Sequence, residues 1–234
     1  MALTAEQLAE LRSIDTPTIC NAVETFNVRP HTTGWTGTTI RNLIPEFGVM
    51  LGYAVTALGD AMSERAPKDR DAMFAMWEAI DETPSPVVLV IKDMGTDPTH
   101  SVHAGDGMAT FAKTLGADGI VTDAALRDLA GIKHVGIKCF ARGLAPSHGN
   151  NRIVRVQVPV TIDGMDVNPG DLVHGDENGL TVIPLEIADK VAAVAKKIWV
   201  DEENGRQAYL KPGFNLDDYA RRHGLKRRNP ARGF

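Results

Sequence analysis

Two cysteines in 234 residues cannot build a disulfide framework. Cys20 and Cys139 lie far apart in apolar surroundings, so both are expected as buried, reduced thiols. No apolar run is long enough to cross a bilayer. The opening MALTAEQLAELRSID lacks the basic and apolar blocks of a secretory leader, which leaves a cytoplasmic location as the expectation. Basic excess is missing too. Lys and Arg number 25 against 30 Asp and Glu, giving a net charge of −5, and nucleic-acid binders are usually basic. The glycines form no G-x-G-x-x-G nucleotide turn, which discounts a methyltransferase. There is no internal repeat and no low-complexity segment. What remains is 43% hydrophobic and 24% charged, enough to bury one full globular core.

The chain is organised around GDGMATFAKTLGADGIVTDAALRD, from Gly105 to Asp128. Gly105 and Gly107 flank Asp106 in a tight turn. Met108, Phe111, Ala112 and Leu115 recur at helical spacing, and Gly116 stands where a helix terminates. Gly119 to Thr122 reads as a short strand, followed by Asp123, Arg127 and Asp128. A helix and a strand return the chain to its starting level, so Asp106 can face Arg127 and Asp128. A helix N-terminus holds carboxylates. Arg127 offers a planar fork for carboxylate or enolate oxygens. Asp128 and Asp106 offer the hard oxygens that Mg²⁺ or Mn²⁺ takes. The residues alone equally allow Asp106 as a helix cap and Arg127–Asp128 as a surface ion pair.

Around this stretch, Thr4 with Gln7 opens a first helix and Thr16-Pro17-Thr18 a second. Val49 to Leu58 alternates as a strand broken at Gly52. Lys68 to Ile80 is an amphipathic helix, and VVLVIK after Pro86 is a buried strand. His100 and His103 form an H-x-x-H that could take a transition metal, contact substrate, or simply pack beside the turn. Arg142, His148 and Arg152 sit on an irregular loop. Ile153 to Ile162 reads as one alternating strand, turned by Asp163-Gly164 into Met165 to Val167. Leu185 to Asp201 is a long helix, and the segment from Tyr209 through RRHGLKRR reads as an arm.

Two blocks carry a resemblance. The D-x20-R-D spacing of Asp106, Arg127 and Asp128 is one. The other is Val167-Asn168-Pro169-Gly170-Asp171-Leu172-Val173, then Gly175-Asp176-Glu177-Asn178-Gly179 and Val182-Ile183-Pro184. Together they resemble the class II 4-hydroxy-4-methyl-2-oxoglutarate aldolase family, which includes the regulator of ribonuclease activity A. Ala124 departs from it, where the family usually has glycine. The resemblance implies a single α-β-β-α sandwich over residues 1–206 and a C-terminal arm, 207–234, packing on a neighbouring subunit of a homotrimer or homohexamer. It implies a metal-dependent lyase that cleaves a 4-hydroxy-2-oxo acid to pyruvate, with oxaloacetate decarboxylation as a side activity. Arg127, Asp106 and Glu202 would be catalytic. Gly105, Gly107, Met108 and Arg127 would bind substrate, and Asp128 would hold Mg²⁺ or Mn²⁺. Glu202, in an E-x-x-x-R match with Arg206, would reach a neighbour's pocket. The alternative is a non-catalytic inhibitor of an RNA-degrading endonuclease.

Overall fold

The computed structural model describes residues 3–63 and 69–226. The chain divides into two compact units, Met1–Ala195 and Lys196–Phe234. The first opens with α1 (Ala5–Arg12) and α2 (Thr16–Glu24). Both start as their sequences dictate. The Thr4 hydroxyl accepts the Gln7 N–H while the Gln7 side chain accepts the Thr4 N–H, a reciprocal cap. Asp15 accepts the Thr18 N–H ahead of Pro17 in the first turn of α2.

The remaining elements are β1 (Arg41–Asn42), β2 (Met50–Asp60), α3 (Arg70–Glu82), β3 (Val87–Asp93), β4 (Val102–Ala104), α4 (Asp106–Thr114), β5 (Ala117–Thr122), β6 (Ala125–Leu126), α5 (Leu129–Val135), β7 (Lys138–Ala141), β8 (Gly143–Leu144), β9 (Arg152–Val156), β10 (Val160–Ile162), β11 (Met165–Val167), β12 (Leu172–Asp176), β13 (Gly179–Ile183), α6 (Ala188–Leu210) and α7 (Leu216–Arg222). The main sheet runs β1-β7-β5-β3-β2-β12-β13, and β9 pairs with the far half of β2. β2, β3, β5 and β7 are parallel.

The VVLVIK run is buried on both faces because each face has its own cover. Leu89 and Ile91, with Val55, Ala57 and Ile120, meet Met76, Ile80, Ala109, Ala112 and Ile132 of α3, α4 and α5. Val88 and Val90, with Ala54, Val121 and Phe140, meet Val160, Ile162, Met165 and Val167 of the β10–β11 hairpin. Each fully buried Val, Leu, Ile, Met or Phe among them contributes about 1.5–3 kcal/mol.

Four expectations change in detail. Ile153 to Ile162 is two strands, because Gln157 adopts a left-handed φ of 55° and turns the chain from the main sheet into the hairpin. The run of valines conceals that corner. Gly52 does not break β2; a Cβ there would lie 2.7 Å from the Pro86 carbonyl, so glycine admits the start of β3. Phe111 does not join the buried stripe of α4, which rests on Ala109 and Ala112; it is half exposed, its ring 4.8 Å from that of Trp77. The last long helix begins at Ala188 and runs on to Leu210. Asp163 and Gly164, at φ 47° and 85°, make the expected two-residue turn. The expected start of α3 at Lys68 lies outside the described residues, as does the basic tail beyond Lys226. In the second unit, Asn215 caps α7, and Tyr209 sits 5.8 Å from the rings of both Phe214 and Tyr219.

Candidate active site

After three of the parallel strands the chain enters a second, smaller sheet. β3 leads to β4, β5 to β6 and β7 to β8, and these three short strands are parallel to one another. The Arg127 N–H donates to the Ala104 carbonyl at 3.0 Å, and the Ala145 N–H to the Leu126 carbonyl at 2.9 Å. The ends of β4 and β6 therefore lie side by side. That puts Gly105 against Arg127 and Asp128, with Asp106 following it at the start of α4.

The contact is close, and glycine admits it without displacing either side chain. A Cβ on Gly105 would stand 2.9 Å from Asp128 Oδ2 and 3.1 Å from Arg127 Nε. Arg127 Nε and Asp128 Oδ2 are themselves 3.1 Å apart, with side chains 35% and 41% exposed. Asp128 opens α5 from a left-handed conformation, φ 56° and ψ 41°, which costs a non-glycine residue about 1–2 kcal/mol. Asp106 begins α4 and packs on α5, where a Cβ on Gly131 would meet its own Cβ at 2.6 Å. Asp106 is exposed, and its Oδ1 accepts the Gly107 N–H at 2.7 Å. A Cβ on Gly107 would meet nothing within 4 Å, so this face of the turn is open. Glu202 lies exposed on α6 in the second unit, where Arg206 pairs with Glu203 at 3.0 Å.

Beneath the turn is a polar layer that the sequence reading missed. His103 is fully buried, its Nε2 2.7 Å from Asp93 Oδ1 and its Nδ1 3.1 Å from Asn151 Oδ1. His100 is exposed, so the H-x-x-H pair does not converge on a metal, and His103 packs under the turn. Asp123, also buried, pairs with Lys92, accepts the Asp93 N–H at 2.8 Å, and its carbonyl accepts Arg142 Nε at 2.6 Å. Burial raises the Asp93 pKa, but hydrogen bonds from His103, Ser101 and the Gly95 N–H and the His103 charge outweigh it, leaving the carboxyl below its ordinary value. Arg152 bonds Asp60, and the Nδ1 of His148 faces the Gly149 carbonyl. A signal for the layer was present: two apolar strands, VVLVIKD and GIVTD, each finish in an acid.

Among the described residues no group of three His, Cys, Asp or Glu gathers around a common point. Mg²⁺ is commonly held through one or two carboxylates with water completing its shell. The exposed Asp128 carboxylate, with Asp106 on the neighbouring helix start, fits that mode. Among the described residues several cavities are large enough for a small ligand. One of about 820 Å³, lined by Tyr53, Glu78, Glu82 and Gln157 among others, contains none of Asp106, Arg127 and Asp128. One of about 620 Å³ is lined by Ala61, Met62, His100, Leu144, Ala145 and Asn150 among others. It stands at the same strand ends as the motif, since Ala145 is bonded to the residue before Arg127.

The family model described as RraA-like, Aldolase/RraA, matches residues 16–182. The chain belongs to the RraA-like family. A relative from Halalkalibacterium halodurans, named "Putative 4-hydroxy-4-methyl-2-oxoglutarate aldolase", is 36% identical over 135 residues, 57% of this chain and 61% of that protein. The match therefore spans about three fifths of the relative's length. An uncharacterized Pseudomonas syringae protein has the same RraA-like fold at a TM-score of 0.72 and 26% identity, covering 95% of this chain and 96% of its own. Streptomyces coelicolor RraAS2, titled an unusual member of the RNase ES inhibitor RraA protein family, superposes at 0.69 with 23% identity, covering 88% and 98%, a likeness of fold.

Proposed function

We propose that this RraA-like protein is a class II aldolase that cleaves a 4-hydroxy-2-oxo acid, such as 4-hydroxy-4-methyl-2-oxoglutarate, to pyruvate. The observation that carries the reading is the meeting of Gly105, the residue before Asp106, with Arg127 and Asp128 at the adjoining ends of β4 and β6. The name of the Halalkalibacterium halodurans relative supports it.

In the cleavage the C4 hydroxyl gives up its proton, the C3–C4 bond breaks, and its electrons pass into a pyruvate enolate, which is then protonated at C3. The substrate's C1 carboxylate takes the Gly107 and Met108 N–H groups at the start of α4. There it replaces Asp106 at the Gly107 N–H and frees that carboxylate for proton transfer. Arg127 holds the enolate oxygen, where negative charge develops. Glu202 assists from a neighbouring subunit in a homotrimer or homohexamer. Mg²⁺ or Mn²⁺, held by Asp128, would supply Lewis-acid polarisation of the 2-oxo group when bound. The motif's fixed positions offer no lysine, and Lys92 is spent on Asp123, so a Schiff base is not needed for the reading. Oxaloacetate decarboxylation passes through the same enolate and follows as a side activity.

The test is a screen of 4-hydroxy-2-oxo acids with pyruvate release coupled to a dehydrogenase, with Mg²⁺ and with excess EDTA. Release that depends on the cation is expected. Full-rate release in EDTA would overturn the metal assignment, and no release from any substrate would overturn the aldolase. The second reading, an inhibitor of an RNA-degrading endonuclease, rests on the shared fold with RraAS2. It predicts endonuclease inhibition that survives Arg127→Ala.

A further inference from the structure

The hydrogen bonds around His103 are all satisfied when both ring nitrogens carry protons. A backbone carbonyl can only accept, so the atom of Asn151 at 2.8 Å from the His103 carbonyl is the amide nitrogen. The amide oxygen of Asn151 then faces the ring Nδ1 at 3.1 Å, and it too can only accept. Nδ1 must therefore carry a proton. On the other side, Nε2 meets Asp93 Oδ1 at 2.7 Å, while Asp93 Oδ2 accepts the Gly95 N–H at 3.0 Å. The Asp93 carboxyl is held below its ordinary value and is ionised, so Oδ1 accepts and the proton between the two groups is placed on Nε2.

We propose that His103 is a buried imidazolium and a positioning residue, which through Asn151 fixes where the Gly107 and Met108 N–H groups point. The ring has no exposure, and its charge is matched by Asp93, one residue from the Lys92–Asp123 pair. The fold makes room for it: a Cβ on Gly59 of β2 would stand 2.6 Å from the ring. Asn151 completes the link. Its nitrogen holds the carbonyl of His103, three residues ahead of Asp106, and lies 3.8 Å from Met108 Sδ in the first turn of α4. A neutral ring with a lone pair on Nδ1 would oppose two acceptors. Turning the Asn151 amide to relieve that would oppose its oxygen to the His103 carbonyl. Either way the start of α4 loses its tether.

Only the kinetic arm of the test rests on the aldolase reading. Nitrogen-15 NMR of the full-length protein near neutral pH is expected to show both His103 ring nitrogens protonated, with slowly exchanging N–H protons. Asn151→Leu keeps the branched shape and the His103–Asp93 bond but cuts the tether. It is expected to shift the Gly107 and Met108 amide resonances and to raise KM about tenfold or more, with kcat changed less than about threefold, because the carboxylate is held alike before and during reaction. If that variant does not fold, Gly59→Ala, whose methyl displaces the ring, is read the same way. A singly protonated ring overturns the proposal. So do unmoved amides, or a kcat that falls with the folded fraction while KM stays constant. A wild-type protein that releases no pyruvate defeats the aldolase alone, and the ring and amide spectra still decide the role of His103.

Discussion

Arg127 is where chemistry and structure make opposite demands. Its pairing with Asp128 is one-third exposed, so as a structural bond it is worth up to about 1 kcal/mol. As an enolate-holding group it is worth far more. Arg127→Lys keeps the charge and loses the planar fork, and kcat is expected to fall by about two to three orders of magnitude, as when one oxyanion donor is removed. Arg127→Ala is expected to fall further, with exchange of pyruvate methyl protons collapsing in parallel and thermal unfolding almost unmoved. Wild-type proton exchange in Arg127→Ala would remove the site. His174 shows the converse, a side chain legible as fold and silent about function. Its Nε2–H donates to the Leu11 carbonyl at 3.1 Å, its Nδ1 accepts the Thr16 hydroxyl at 3.0 Å, and burial brings its pKa down from 6.5 to about 4. The unfolded chain binds this proton below pH 6.5 and the folded chain does not until about pH 4, so stability is full above 6.5 and declines as pH falls through that window. Denaturant unfolding should show a loss of about 2 kcal/mol between pH 7 and pH 5 that His174→Gln lacks.

At the scale of elements, the chain itself declared its helix starts and its central strand. Thr4 with Gln7, Asp15 with Thr18, and VVLVIK are local signals, each complete within a few residues. The D-x20-R-D spacing brings Gly105, the residue before Asp106, against Arg127 and Asp128, because one helix and one strand return the chain to its level. What was illegible depends on distant partners. The alternating valines after Ile153 say nothing of the corner at Gln157, where the Gln157 N–H donates to the distant Thr56 carbonyl at 2.7 Å. The role of His103 depends on Asp93, ten residues earlier, and Asn151, 48 residues later. Asp128 offers the sharpest separation of fold from function. Its left-handed backbone is a position that glycine fills without strain. Asp128→Gly is therefore expected to leave the fold as stable or about 1 kcal/mol more stable, by relief of that strain. It should at the same time abolish cation-dependent pyruvate release. Calorimetry and the coupled assay on one preparation decide this. Loss of stability would mean that the Asp128 side chain supports α5, and unchanged turnover would mean that it holds no cation.

For the whole molecule the open question is what completes the site. Asp106, Arg127 and Asp128 lie in the first unit, and Glu202 lies in the second. If Glu202 acts across an interface, each site is made of two chains, and two inactive proteins can restore one another. Arg127→Ala supplies good Glu202 residues and ruined motifs, while Glu202→Gln supplies the reverse. After dissociation and reassembly of an equal mixture, random assortment gives roughly a quarter of the sites Arg127 from one chain and Glu202 from the other. Pyruvate release at about that fraction of the wild-type rate is expected, against near-zero for either variant reassembled alone. If Glu202 serves its own chain, every site in the mixture carries one lesion and no activity returns. Sedimentation on the same samples closes the argument, since a fully active monomer leaves Glu202 no neighbour to assist.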